Sequence, residues 1–137
     1  IDNRVQEIGD ICATLKRLAG EIDVSIILLS QLSRDRMNPY PSLARLRGSG
    51  EIESNADNVI FVYRPEYYKT EGKNLAYKDR FANVSTDGTA EIIVAKGRNT
   101  GTTSFIAAYE KQYTRFSDLA DMPTATMVTA NREQLPF

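Results

Sequence analysis

The chain has 137 residues, 42% hydrophobic and 26% charged, and a formal net charge of −1. That suits one soluble globular domain with a core, and it excludes a global basic field, so any nucleic-acid contact must come from a local patch. Histidine is absent and Cys12 is the only cysteine, which excludes the usual zinc sites, Ser-His-Asp chemistry and any disulfide within the chain.

The chain opens on Ile1, not Met, and enters a helical pattern at once, as expected of a piece of a longer protein. It shows no signal-peptide pattern, and no apolar run reaches membrane-spanning length, so no membrane role is expected. Val5, Ile8, Cys12, Leu15, Ala19 and Ile22 recur every three or four residues, the stripe of an amphipathic helix, with Gly20 near its end. Val24 to Leu29 then reads as a short buried strand ending in Ser30-Gln31. Helix, tight turn and apolar strand in that order predict an α/β fold with parallel central strands.

An Arg-rich connection runs from Ser33 to Gly50, with Arg34, Arg36, Arg45 and Arg47 against the single acid Asp35. Pro39 and Pro41 argue against regular structure in its middle. A short helical turn over residues 51–56 leads into a second strand, Asn58 to Tyr63. Residues 65–88 have no clear period and form a long loop. Its Tyr67, Tyr68, Tyr77 and Phe81 either pack the loop down or stack on bases, and packing is the favoured reading because exposed aromatic clusters need a partner.

The clearest strand follows, Glu91 to Lys96, and its Ile92–Ala95 run suits a strand covered on both faces. Lys96 and Arg98 stand one residue apart at its end, so a period of two puts both cations on one side. By themselves they read either as solvated strand-end charges or as a seat for an anion such as phosphate. Thr100-Gly101 is a hairpin turn into an antiparallel partner strand, Thr102 to Ala108. Residues 117–137 show no period and are expected to be a mobile tail.

Three segments in order resemble the C-terminal motor domain of the DnaB-type bacterial replicative DNA helicases. They are Ile27-Leu28-Leu29-Ser30-Gln31-Leu32-Ser33-Arg34; Arg47-Gly48-Ser49-Gly50-Glu51-Ile52-Glu53 with Ala56-Asp57, running on through Val59 to Tyr68; and Ala95-Lys96-Gly97-Arg98-Asn99 with Tyr113-Thr114-Arg115-Phe116. The resemblance implies that residues 1–116 are the C-terminal portion of a RecA-like P-loop NTPase core. The implied sheet is mixed, with parallel central strands and a C-terminal antiparallel hairpin.

It further implies a homo-hexameric ring that couples ATP hydrolysis to translocation on single-stranded DNA and duplex unwinding in replication. Primase and a helicase loader would be partners, and the setting would be bacterial, cytoplasmic and nucleoid-associated. Arg98 would be the arginine finger and Lys96 its companion, both reaching in trans to the phosphates of ATP held by a neighbouring subunit. Gln31 would sense the γ-phosphate; Arg47, Gly48 and Gly50 would belong to a DNA-facing pore loop. Glu53 and Asp57 are read as fixing the short helix rather than as chemistry.

The chain departs from the family pattern at Gly48, where Glu is usual, at Gly97, where Gln is frequent, and at Ser33, where Asn is frequent. No Gly-x-x-x-x-Gly-Lys-Ser/Thr occurs, and no apolar strand ends in an Asp for Mg²⁺. The family carries both further upstream, so ATP and Mg²⁺ would be bound mainly by residues outside this chain, and the chain alone is expected to be inactive. The competing assignments are another RecA-like ATPase (a recombinase or a phage-type primase-helicase) and a non-catalytic DNA-binding or assembly module.

Overall fold

The computed structural model describes residues 2–46 and 49–121. Helix α1 spans Asp2–Ile22 and presents Cys12 to the interior, as the three-and-four spacing requires. Its end is set by Asp23, at φ 53, and by the Val24 N–H donating to the Ala19 carbonyl at 3.1 Å. This is a Schellman closure with aspartate in the left-handed position, so Gly20 is an interior residue and not the terminator.

The segment after it departs from expectation. Residues 24–31 form no ladder, and Ile27 and Leu29 are 88% and 90% exposed. A strand exists only through hydrogen bonds to a neighbouring strand, and no described segment offers them here. Leu32 makes an isolated antiparallel bridge with Leu46. Between them the Arg45 guanidinium binds the carbonyls of Ser33, Pro39 and Tyr40 at 2.9 Å each, closing the proline-interrupted connection into a defined loop. Helix α2, Ser49–Asn55, packs on α1.

Strand β1 is Asn58–Tyr63, with Val59, Phe61 and Tyr63 buried and the residues between them exposed. Strand β2 is Thr89–Gly97, β3 is Thr103–Glu110 and β4 is Arg115–Asp118. They form a four-stranded antiparallel sheet in the order β1-β2-β3-β4, so the parallel central strands expected from sequence are not among the described residues. Residues 92–95 of β2 are half-buried, not covered on both faces.

In β4 Ser117 pairs with Ala108 and Asp118 with Ala107, and Leu119 after it is buried. The tail expected from residue 117 therefore begins inside an element, and residues 122–137 lie outside the described region. No helix of the described residues is long and apolar enough to cross a membrane.

The chain divides into two compact units, Ile1–Val59 with Val94–Thr102, and Ile60–Ile93 with Thr103–Phe137. In the second, the long loop carries 3-10 turns at Pro65–Glu71 and Asp79–Phe81. Tyr77 and Phe81 are buried, Tyr63 meets Tyr77 edge-on at 6.3 Å, and Arg64 lies 3.9 Å over the Tyr109 ring. Packing thus accounts for these two aromatics; Tyr67 stays exposed, its ring edge against Tyr68.

Candidate functional site

The site lies in the first unit, where the C-terminal end of α2 meets the end of β2. Glu53 lies in the last turn of α2 and Asp57 just past its end at Asn55, so the helix terminus and the bend after it bring a main-chain carbonyl and a carboxylate to one place. Lys96, half-buried, donates from Nζ to the Glu53 carbonyl, one of the acceptors a helix C-terminus leaves open. Arg98 donates from Nη1 to Asp57 Oδ1 at 2.8 Å, and its main-chain N–H donates to the Asp57 carbonyl at 2.9 Å. Lys96, the penultimate residue of β2, and Arg98, the first residue of the turn after it, thus both turn to the end of α2.

Asp57 is the hub of this cluster. Its Oδ1 also accepts from Lys16 Nζ of α1 at 2.5 Å. The Lys16 hydrogen bond is the main cause holding the Asp57 carboxyl below the usual carboxylate range; the charges of Lys16, Arg98 and Lys96 lower it too, against some desolvation. Lys16, Arg98 and Lys96 thus all act on the Asp57 carboxylate. The side chains of Arg98 and Asp57 are 48% and 49% exposed, so the pairs contribute little to stability and chiefly set geometry.

The turn after β2 is shaped by Gly97 and Gly101, the latter at φ 74, with the Gly101 N–H donating to the Gly97 carbonyl at 3.1 Å. It carries Arg98 on an exposed corner.

The other expected site residues are placed elsewhere. Gln31 is exposed at the end of the unpaired 24–31 segment. Gly50 sits in the first turn of α2, with open space where a Cβ would stand. Arg47 and Gly48 lie outside the described residues. Sequence reading assigned Asp57 only to the helix and missed Lys16, which is 41 residues from Asp57. The helical stripe gave one weak signal, since Lys16 follows the apolar Leu15 at the edge of that face.

The donor set suits an anion. Lys96 and Arg98 offer N–H groups of the kind that bind phosphate oxygens. Among the described residues no group of three or more Asp, Glu, Cys or His gathers for a metal.

The fold is that of the RecA-like ATPase domains of DnaB-like helicases, the class to which the solved neighbours belong. The chain belongs to the family described as DnaB-like helicase C terminal domain, which matches residues 1–118. It is 41% identical over 128 residues to the replicative DNA helicase DnaB of Rickettsia conorii, covering 86% of this chain and 26% of that protein. It is 40% identical over 123 residues to the replicative DNA helicase DnaC of Bacillus subtilis, covering 86% and 24%.

Among solved structures it resembles "The Structure Of A DnaB-Like Replicative Helicase And Its Interactions With Primase", with a TM-score of 0.69 and 35% identity over 85% of this chain and 26% of that one. A solved ATPase domain matches with a TM-score of 0.68 and 35% identity, over 85% and 38%. The chain thus spans about a quarter of the length of the curated relatives it matches.

Proposed function

We propose that this chain is the C-terminal part of the motor domain of a hexameric replicative helicase, whose parent couples ATP hydrolysis to translocation along single-stranded DNA and so unwinds the duplex. Family membership supports the helicase assignment, and nothing found favours a recombinase, a primase-helicase or a non-catalytic module. The observation that carries the site is the Lys96–Arg98 pair, both turned to the end of α2, with Arg98 exposed at a glycine corner.

In this reading Arg98 is the finger and Lys96 its companion, acting on ATP held by the adjoining subunit. Bound nucleotide supplies the phosphoryl group whose charge the two cations offset; an arginine finger can contribute ~10³-fold or more in rate. Arg98 suits the task because its planar fork grips phosphate oxygens. Gln31 senses the γ-phosphate from the end of residues 24–29, whose exposed apolar side chains support a central strand in a parallel sheet completed by the rest of the parent. Arg47, Gly48 and Gly50 face DNA through main-chain and charge contacts, so binding is sequence-independent and salt-sensitive.

The phosphate cradle and the Mg²⁺ ligand belong to other parts of the parent, which makes the 137-residue chain inactive alone. Primase is the partner that the solved relative supports; a loader and a bacterial cytoplasmic setting belong to the same reading.

The test is Arg98→Ala in the full-length ring. ATPase activity should fall by ~10³-fold while nucleotide affinity stays mostly intact. A large loss of affinity with normal turnover would overturn the trans role. ATP turnover by the purified 137-residue chain alone would overturn the assignment of the cradle to other parts of the parent.

A further inference from the structure

We propose that Asp57 is the positioning residue for Arg98, steadied by Lys16, so that the finger is pre-set by its own subunit before it meets a neighbour's nucleotide. The inference rests on the trans-finger reading of Arg98 and deepens it. Asp57 holds Arg98 twice: its carbonyl accepts the Arg98 main-chain N–H at 2.9 Å, and its Oδ1 accepts Nη1 at 2.8 Å. Backbone and guanidinium are thereby indexed to one residue. An unanchored arginine that is 48% exposed would populate many rotamers, and each must be given up when the fork engages a phosphate.

The attachment leaves the fork usable. Nη1 is the atom committed to Asp57, and a guanidinium has five N–H donors in all. Asp57 itself is kept from swivelling because Lys16, from α1, donates to the same Oδ1. An exposed ion pair of this kind adds little to folding stability, so the side-chain link between Asp57 and Arg98 chiefly sets where the guanidinium lies.

The experiment uses the full-length ring with Asp57→Asn, Lys16→Met, Arg98→Ala and the Asp57→Asn/Arg98→Ala double variant. Two readouts are taken: kcat and KM for ATP, and binding of ADP against ADP–aluminium fluoride, a mimic of the transferring phosphoryl group. Asp57→Asn should lower kcat and weaken the fluoride complex by about ten-fold each. KM and ADP affinity should stay within about two-fold. Lys16→Met should give a smaller loss of the same pattern, about three-fold.

In the Arg98→Ala background, Asp57→Asn should cost nothing further. Normal kcat and fluoride affinity in Asp57→Asn, or additive losses in the double variant, would overturn the positioning role alone. An Arg98→Ala ring that keeps both would instead overturn the finger reading beneath it. Should Asp57→Asn rings fail to assemble, Lys16→Met decides: an assembled ring with wild-type values overturns the proposal, and the paired loss supports it.

Discussion

The hydroxyl of Thr100 fills the space into which a side chain at Gly97 would grow, and the Gly101 carbonyl oxygen blocks the same space. A side-chain hydroxyl can rotate away; the main-chain carbonyl of a residue that closes the turn through its N–H cannot without moving the turn. Gly97→Ala is therefore expected to lower stability by about 1–3 kcal/mol, and Thr100→Gly to restore only part of it. Gly97→Gln, which introduces the residue frequent in the family, should behave no better while Thr100 and Gly101 remain. Urea denaturation of the parent's motor domain would check the order. Full rescue by Thr100→Gly would show that the carbonyl is not the obstacle.

Arg45 offers a second case. Its Nε and Nη2 both reach the Ser33 carbonyl, at 3.1 and 2.9 Å, while Nη1 spans to the carbonyls of Pro39 and Tyr40. Only a planar fork serves acceptors on both sides of a loop, so Arg45→Lys keeps the charge and loses the span. The expected cost is about 2 kcal/mol, localised as faster amide exchange over residues 33–40 with α1 unchanged. Uniformly faster exchange along the chain would contradict a local clamp.

In the second unit Thr89 is buried and its Oγ1 donates to the Ser85 carbonyl at 2.7 Å, so the Tyr77 hydroxyl, 2.9 Å away, is the donor to Thr89. Burial pushes the Tyr77 hydroxyl pKa well above its usual value, so the phenol stays protonated as that bond needs. Tyr77→Phe removes one donor and leaves Thr89 its other bond, for about 1 kcal/mol. Thr89→Val strands the buried phenol and should cost more, about 2–3 kcal/mol. Thermal melts of the two variants give the ranking, and a reversed order would refute this donor assignment.

Acid should loosen the Asp57 cluster, and the sign is fixed by the direction of its shift. Its folded-state pKa lies below the ordinary 3.8, so its contribution is present above 3.8 and is lost as pH falls through the lower folded value. From about pH 5 to about pH 9 the link to Arg98 should be constant. An NMR titration of the Asp57 carboxyl should give a midpoint below 3.8, moving upward in Lys16→Met because that hydrogen bond is the main cause. A midpoint indifferent to Lys16 would remove Lys16 from the cluster.

Much of this molecule is local. The three-and-four stripe made α1, and the alternation of Val59, Phe61 and Tyr63 made β1. Such features depend on periods within a few residues, which a linear sequence carries in full. Residues 24–29 have the composition of a strand yet form none here, because pairing belongs to two segments and only one was readable. Strand β4, four residues long, is made by its register against β3, and its own residues give too short a pattern to detect. Asp57 meets Lys16 and Arg98 only because α1 and β2 both reach the end of α2, and that meeting across 41 residues is a fact of folding in space.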